Sequence, residues 1–387
     1  MNIKDTDNQF IAHSYGRFDV CLTKGKGSVL YDDNDKKYID FTSGIGVNSF
    51  GICDDIWKDA VISQLGKIQH TSNLYYTEPC AVLAKLLCEK SKMCNVFFAN
   101  SGAEANEGAI KFARKYSSDK YGENRSTIIT LEDSFHGRTI TTLSATGQDV
   151  FHKDFGPFTQ GFKYCPANDC NALKDMITDD VCAIMFECIQ GEGGVNNLDD
   201  EFIKTINQIA KDNDILMIVD EVQTGNGRTG KYFSYEHFNI SPDIVTTAKG
   251  MAGGLPMGAV LFGEKVKDVV TPGSHGSTFG GNPIACAGAV SIVERIDDAF
   301  LESVTEKGIY IKNKLKEIKG IKDISGMGLM IGILSDKDAG EVAKKCLDKG
   351  LLVLTAHKNK VRLLPALNIN YNEIDEGIEI LREVIEE

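Results

Sequence analysis

Six short apolar runs rich in β-forming residues constrain the fold of this chain more than any other feature. They are Val96–Ala99, Ser126–Leu131, Val181–Phe186, Ile215–Val219, Asp243–Thr247 and Gly258–Phe262. Amphipathic stretches such as Glu104–Tyr116 and Glu201–Asp212 separate most of these runs. Strands that are apolar on both faces and alternate with helices are typical of a parallel sheet covered on both sides. The pattern therefore predicts an α/β core over roughly residues 51–270.

The two ends of the chain have a different pattern. Residues 17–42 indicate a short β-meander with turns at Lys24–Gly27 and Asp32–Asp35. After about residue 290 the pattern becomes helix, strands, helix, strands, helix, and it closes with a predicted helix over Ile374–Glu387. We therefore expect a second domain built from both termini.

Charge and cysteine content restrict the class of protein. The net charge of −13 argues against nucleic-acid binding, because phosphate backbones attract clusters of Lys and Arg. The 11 cysteines form no CxxC pair and have no zinc-finger spacing, and the start MNIKDTDNQF is polar, with no secretory signal. We therefore expect reduced thiols, a cytoplasmic location and no metal site. No apolar run approaches the ~20 residues that cross a membrane, so we expect no membrane partner.

A possible anion site follows the first of the predicted strands. Ligands of parallel α/β sheets bind beyond the carboxyl ends of the strands. There the chain reads Ser101-Gly102-Ala103 and begins a helix, and small residues at a helix start expose backbone N–H groups to an anion. Ser101 and Glu104 also fit a capping box, so a phosphate site and an ordinary N-cap are both compatible with the sequence.

Asp220 and Lys249 each follow another buried strand. The Asp220 carboxylate could hold a protonated ring nitrogen, since a charge pair ~4 Å apart at an effective dielectric near ~20 is worth ~4 kcal/mol. A metal ligand or a helix cap are the alternatives. Burial of Lys249 would lower the pKa of its amine and free it to attack a carbonyl, whereas a solvated lysine is the plainer alternative. The matching positions of the two residues favour the chemical interpretation.

Two further segments carry candidate groups. After Ser126–Leu131, Phe135 offers a ring to stack on a flat cofactor and Arg138 a guanidinium to hold a carboxylate, while His136 alone is more often structural. Gly225–Gly230 formally fits GxGxxG, but it does not lie directly between a strand and a helix, and no ribose-binding acid follows ~20 residues later. The sequence therefore argues against a nucleotide-binding protein.

Together these motifs resemble the class III, fold-type-I pyridoxal-phosphate (PLP) aminotransferases. The resemblance runs from GKGSVLYDDNDKKYIDFTSGIGVNSFG to VRLLPALNI, and its central motifs are SGAEANEGAIKFARKY, SFHGRT, IQGEGG, DEVQTGNGRTG, TTAKGMAGGLPMGA and STFGGNP. It implies an α/β fold in which residues 51–285 form a large domain with a mostly parallel seven-stranded sheet. Residues 1–50 and 286–387 would form a small α+β domain.

The resemblance also implies a reaction. GIGVNS and SNLYYTEP look most like the family members that transfer the amino group of N2-acetylornithine to 2-oxoglutarate in arginine biosynthesis. Ornithine, succinylornithine and 4-aminobutyrate remain alternative donors, because the cofactor machinery does not separate them.

Roles for individual residues follow from the same resemblance. Lys249 would carry PLP as a Schiff base and move protons, and Asp220 would hold the pyridine nitrogen protonated. The other implied cofactor contacts are Ser101, Gly102, Ala103, Phe135, Glu221, Val222, Gln223 and Thr278. The implied substrate contacts are Tyr15, Arg138, Glu192, Ser277 and Arg362. Thr278 would come from a partner subunit, which implies a homodimer with shared active sites.

The resemblance assigns a different arginine to each of the two substrates. Arg138 would bind the α-carboxylate of the ω-amino donor, and Arg362 the α-carboxylate of glutamate or 2-oxoglutarate. Glu192 would pair with Arg362 and mask its charge while the ω-amino donor is bound.

Overall fold

The computed structural model of this protein describes residues 2–357 and 359–387. The strands are β1 (Leu22–Lys26), β2 (Val29–Asp32), β3 (Lys37–Asp40), β4 (Asn95–Ala99), β5 (Thr127–Leu131), β6 (Phe162–Cys165), β7 (Val181–Phe186), β8 (Ile189–Gln190), β9 (Asn196–Asn197), β10 (Leu216–Asp220), β11 (Ile244–Thr247), β12 (Gly258–Phe262), β13 (Ile321–Met327), β14 (Met330–Ser335), β15 (Leu351–Leu352), β16 (Leu354–Ala356) and β17 (Lys360–Leu363). The helices are α1 (Ile3–Phe10), α2 (Ser43–Gly46), α3 (Asp55–Leu65), α4 (Glu78–Ser91), α5 (Gly102–Tyr121), α6 (Ile140–Ala145), α7 (Cys170–Asp175), α8 (Asp200–Asp212), α9 (Pro283–Val293), α10 (Asp298–Lys316), α11 (Ala339–Lys349) and α12 (Tyr371–Glu386). Within these ranges, none of the helices combines the length and the apolar character needed to cross a membrane.

The central sheet confirms the predicted α/β core. In the described part of the chain its seven strands lie in the order β4-β12-β11-β10-β7-β5-β6. Strand β12 is antiparallel to both of its neighbours, and the other pairs are parallel. The six predicted strands match six of these within one residue at either end. The seventh, β6, lies at the edge of the sheet and was not predicted by the apolar runs.

The sheet is buried on both faces because successive side chains of its strands enter two different cores. Along β10, Met217 and Val219 pack in one core together with Ile203 of α8. Ile218, between them, packs in the other core with Ile110 of α5. This alternation is the two-residue period of a β-strand, and it explains why the strands read as continuous apolar runs.

Both termini contribute to a second region, as the sequence predicts. Strand β15 pairs in parallel with β3, which places Leu351 beside Ile39 in a sheet of order β1-β2-β3-β15. Ile39 and Phe41 pack in one core with C-terminal residues such as Val342. A further sheet of order β13-β14-β17-β16 carries Arg362. The exact domain boundaries after residues 50 and 285 stay a prediction.

Candidate active site

A cavity of about 440 Å³ lies at the carboxyl ends of the central strands. Loops that follow β4, β5, β7, β10 and β11 line it, as expected for a parallel α/β sheet. The predicted site residues in its wall are Ser101, Gly102, Ala103, Phe135, Arg138, Asp220, Val222, Gln223 and Lys249. The structure therefore brings most of the predicted cofactor residues together in one place.

Lys249 reaches this cavity from the end of β11. Burial lowers the pKa of its amine, and the nearby Arg362 charge acts in the same direction, against the opposing effects of Glu192 and Asp220. A lower pKa leaves a larger fraction of the amine neutral, which is the form that attacks a carbonyl. The backbone of Lys249 has a φ of +42°, an uncommon conformation for a residue other than glycine.

Asp220, the last residue of β10, is 3% exposed and is held by three donors among the described residues. Oδ2 accepts from Asn106 Nδ2 at 2.7 Å and contacts His136 Nδ1 at 2.8 Å, and Oδ1 accepts from the Val222 N–H at 2.9 Å. A carboxylate has about four acceptor sites, so one remains for a ligand. Within residues 2–357 and 359–387, no three His, Cys, Asp or Glu side chains are grouped to hold a metal ion.

Asn106 is a site residue that the sequence analysis missed. Its Nδ2 donates to Asp220 and also to the His136 carbonyl at 2.7 Å, and its Oδ1 accepts from Thr246 Oγ1 at 2.7 Å. Asn106 therefore fixes Asp220 and the segment after β5 relative to α5. It lies on the buried face of α5 beside Ala105, and a polar residue on a buried helix face was the only signal that could have identified it.

The start of α5 supports both interpretations of the Ser101 motif. Ser101 Oγ accepts from the Glu104 N–H at 3.1 Å, which is an N-cap bond, while Glu104 Oε2 accepts from the Asn100 N–H at 2.8 Å. The first N–H groups of a helix have no partner within the helix, so those of Gly102 and Ala103 stay available at the cavity wall. A Cβ on Gly102 would lie 2.6 Å from Val222 Cγ1, so this position requires glycine.

Arg362 and Glu192 form an ion pair beside the cavity. Arg362 Nη1 lies 2.7 Å from Glu192 Oε1, and the same nitrogen donates to Gln223 Oε1 at 3.0 Å. Gln223 Nε2 donates to Glu192 Oε1 at 3.2 Å and closes the triangle. Burial has the largest single effect and would raise the pKa of Glu192, but Arg362, Lys249 and Gln223 together outweigh it and hold that pKa below its usual value. The pair is therefore charged and mutually neutralised.

The environment of Arg138 differs from that of Arg362, because aromatic rings and not a carboxylate surround its guanidinium. Its Cζ lies 3.9 Å from the centroid of the Phe151 ring and 5.5 Å from that of Phe135. Arg138 is exposed, and none of the ion pairs among the described residues involves it. Its charge is therefore available to an anion that enters the cavity.

Besides Glu192 and Arg362, which lie beside this cavity, four predicted site residues do not line it. Ser277 and Thr278 line a second cavity of about 460 Å³, although Ser277 Oγ accepts from Asn100 Nδ2 at 3.0 Å and so touches the first cavity's wall. Tyr15 is 74% exposed. The Glu221 side chain is buried elsewhere, where Oε1 accepts from Ser234 Oγ at 2.6 Å. Within one chain, the side chains of Ser277, Thr278, Tyr15 and Glu221 therefore lie outside the cavity that Lys249 lines.

Glu187 is a second residue that the sequence analysis missed. It lines the cavity, is 5% exposed and follows β7 directly. Its carboxyl accepts from the N–H groups of Phe135 at 3.2 Å and Gly191 at 3.4 Å. Burial raises its pKa well above the usual value, and the nearby Asp220 charge adds to this effect. The rule that selected Asp220, a polar residue at the end of a buried strand, would also have selected Glu187.

The glycine-rich segment Gly225–Gly230 joins two parts of the fold. Arg228 is 2% exposed, and its Nη1 donates to the carbonyls of Leu329 at 3.2 Å and Pro365 at 2.5 Å. The segment does not lie directly between a strand and a helix, because Glu221–Thr224 separates it from β10 and the next helical turn begins only at Ser234, which agrees with the argument against a nucleotide-binding motif.

Comparison with known proteins places the chain in a family. The model of the aminotransferase class-III family matches residues 10–385. The acetylornithine aminotransferase of Haemophilus ducreyi is 52% identical over 388 residues, which cover 100% of this chain and 98% of that protein. An ornithine aminotransferase structure from Toxoplasma gondii, with partial occupancy of PLP at its active site, has a TM-score of 0.93 at 31% identity and covers 99% of this chain and 93% of its own. The crystal structure of N-acetylornithine aminotransferase from Stenotrophomonas maltophilia has a TM-score of 0.85 at 33% identity and covers 98% of both chains. The chain therefore belongs to the class-III aminotransferase family, as its motifs predict.

Proposed function

We propose that this protein transfers the δ-amino group of N2-acetyl-L-ornithine to 2-oxoglutarate. The products would be N-acetylglutamate 5-semialdehyde and glutamate, in arginine biosynthesis. The observation that carries the proposal is the pairing of Arg362 with Glu192 beside a cavity that contains Lys249 and Asp220. The similarity to the acetylornithine aminotransferase of Haemophilus ducreyi supports this donor over ornithine, succinylornithine or 4-aminobutyrate.

The residues in the cavity wall fit PLP as the cofactor. Asp220 keeps one acceptor site for a protonated ring nitrogen, and the start of α5 offers the N–H groups of Gly102 and Ala103 to a phosphate. Phe135 lines the same cavity and would stack on the ring. When bound, PLP supplies a reactive carbonyl carbon and a ring that withdraws electrons from the carbon next to the amino group.

Lys249 would perform two tasks at its Nζ atom. As a neutral amine with a lowered pKa, it would hold the cofactor covalently. Once the donor's amine has displaced it, Nζ would take a proton from the amine-bearing carbon of the donor and deliver it to the former carbonyl carbon of the cofactor, as a general acid and base. Asp220 would keep the ring nitrogen protonated throughout, because a buried carboxylate stabilises the positive charge.

Arg362 and Glu192 would let one cavity accept two kinds of donor. While they are paired, the Arg362 charge is neutralised and exerts little pull on the carboxylate of acetylornithine. The Glu192 side chain is 28% exposed and that of Arg362 only 3%, so Glu192 is the partner that would move when glutamate enters. Arg362 would then hold the glutamate α-carboxylate, and Arg138, which forms no ion pair within the described part of the chain, would hold that of acetylornithine.

We also propose a cytoplasmic homodimer in which Ser277, Thr278 and Tyr15 act on the active site of the partner subunit. Tyr75 and Tyr76 line the second cavity, and the run Leu74–Tyr76 exposes three large side chains, with Leu74 85% exposed, Tyr75 68% exposed and Tyr76 fully exposed. A contiguous apolar surface of this kind is characteristic of a protein interface. The cysteines, all free in the described structure, fit a reducing compartment.

A comparison of donors tests this proposal. We expect the purified protein, with PLP and 2-oxoglutarate, to have a kcat/KM for N2-acetylornithine at least ~10-fold above those for ornithine, succinylornithine and 4-aminobutyrate. A Lys249→Ala variant would show no turnover, and Lys204→Ala, on the exposed face of α8, would behave as wild type. Preference for another donor would overturn the assignment of acetylornithine, whereas turnover by Lys249→Ala would overturn the role of Lys249.

A further inference from the structure

We propose that Phe151 is a positioning residue that fixes the guanidinium of Arg138 for a substrate carboxylate. Phe151 thereby sets how strongly the enzyme prefers a donor that carries an α-carboxylate. The inference rests on the proposed function, because it assumes that Arg138 binds the donor.

The geometry around Arg138 carries the inference. The Cζ of Arg138 lies over the Phe151 ring, 3.9 Å from its centroid, which is van der Waals contact. Phe135 is farther away at 5.5 Å, and the two rings meet edge to face with centroids 5.8 Å apart. Phe151 is therefore the main support of the guanidinium, and it also packs against the ring that lines the cavity.

An aromatic ring and a carboxylate can both hold an arginine side chain in place, but only the ring leaves the charge and the N–H donors of the guanidinium available to a ligand. A ring face attracts a guanidinium without cancelling its charge and without occupying the N–H donors at its edge. Arg138 can therefore be held in place and still bind a carboxylate with two parallel hydrogen bonds. Arg362, by contrast, is held by Glu192 and must lose that partner before it binds a substrate.

Phe151 is itself fixed to the segment that carries Arg138. The turn before it is bound to the segment after β5 by hydrogen bonds that include Gly147 N–H to Ser134 Oγ at 3.0 Å, Asp133 N–H to the Gly147 carbonyl at 2.8 Å, and Gln148 Nε2 to the Ser134 carbonyl at 3.0 Å. These bonds fix the position of the Phe151 ring relative to the segment that carries the Arg138 guanidinium. Without the ring, an exposed arginine regains rotamer freedom that must be lost again when the substrate binds.

The test measures N2-acetylornithine kinetics in variants of the full-length, PLP-loaded enzyme. Phe151→Leu keeps an apolar side chain but removes the ring, and we expect a roughly fivefold to tenfold rise in KM with a much smaller change in kcat. Phe151→Tyr keeps the ring and should restore a KM close to that of wild type. Phe155→Leu is the matched control, because Phe155 is 58% exposed and makes no ring contact among the described residues. The visible absorbance of the bound cofactor should be the same in all of them.

A double-mutant cycle separates positioning from a general structural role. If Phe151 acts through Arg138, Phe151→Leu will have no further effect on KM in an Arg138→Gln background. An unchanged KM in Phe151→Leu, or an equal rise in both backgrounds, would overturn the inference. If the wild-type enzyme does not convert acetylornithine, the proposed donor fails instead, and the same cycle is measured with the carboxylate donor that it does use.

Discussion

Arg362 and Glu192 form an ion pair whose two partners are unequally buried. The guanidinium is almost fully enclosed and also donates to Gln223, whereas more than a quarter of the Glu192 side chain is exposed. Breaking a buried pair by losing one partner leaves an uncompensated charge, which favours a rapid exchange of Glu192 for another carboxylate. The pair therefore has the properties of a gate that an incoming dicarboxylate can open.

Removing the negative charge of Glu192 should change which substrate the enzyme prefers. In Glu192→Gln, Arg362 keeps a hydrogen-bond partner but its charge is no longer cancelled, so it attracts the acetylornithine carboxylate into an unproductive orientation. We expect the ratio of kcat/KM for glutamate to that for acetylornithine to rise about 10-fold, since a charge-assisted bond is worth ~1.5 kcal/mol or more. Single-turnover kinetics of the two half-reactions measure this ratio. Glu201→Gln, at the start of α8, is the control, and an unchanged ratio in Glu192→Gln would contradict the gate.

The Asp220→Asn variant should have a lower kcat than wild type but should still bind PLP. The substitution preserves the shape but removes the charge that holds a ring nitrogen protonated, which at an effective dielectric near ~20 contributes up to ~4 kcal/mol. We expect kcat to fall by roughly 10² to 10³, with the visible absorbance of bound PLP retained. Asp200→Asn, on the surface of α8, should leave kcat unchanged. A kcat within about threefold of wild type would show that Asp220 does not act on the cofactor.

Glu221 should make stability depend on pH. Burial raises its pKa to about 7 from 4.5, so its contribution to stability is complete below about 4.5 and is lost as the pH rises through 7. The loss amounts to about 3 kcal/mol in the fully buried site. Glu221→Gln cannot titrate, its amide oxygen can accept from Ser234 and Tyr235, and its NH2 group can donate to Thr224 Oγ1, so its Tm relative to wild type should rise between pH 5 and pH 8. A constant Tm difference across this range would contradict the raised pKa.

Gly102→Ala should weaken retention of the cofactor. Its Cβ would press on Val222 at 2.6 Å and displace the first turn of α5, where the phosphate is proposed to bind. We expect PLP to dissociate at least ~10-fold more readily, measured by loss of visible absorbance during dialysis. Val222→Ala in the same chain removes the clashing atoms and should restore much of the retention. If Gly102→Ala alone retains PLP as wild type does, the phosphate is not held at this turn.

The sequence predicted the central sheet because each of its buried strands lies between two cores. Val181–Phe186 is buried at every position, so no polar residue interrupts the run. The edge strand Phe162–Cys165 is different: three of its four residues are only half-buried, and Lys163 lies among them. This strand pairs with β5 on one side, and its other edge has no strand beside it in the described sheet. Its sequence therefore lacks the continuous apolar run of the buried strands.

The candidate site was predicted in part, for a similar reason. Asp220 and Lys249 follow buried strands, and the carboxyl ends of parallel strands converge, so local sequence located them. Asn106 could not be found this way, because its partners His136 and Thr246 are distant in sequence and meet it only in the folded sheet. The positions of Ser277, Thr278 and Tyr15 outside the cavity also reflect tertiary structure, which strand patterns do not encode.

The measurement that tests the central claim most directly is the visible spectrum of the purified, PLP-loaded protein before and after addition of N2-acetylornithine alone. The account predicts a yellow protein that loses its colour with the donor and regains it with 2-oxoglutarate, while Lys249→Ala lacks the colour of lysine-bound PLP. A wild-type protein that binds no PLP at all would contradict the assignment of Lys249 and Asp220. Colour that ornithine or 4-aminobutyrate removes, and acetylornithine does not, would contradict the proposed donor alone.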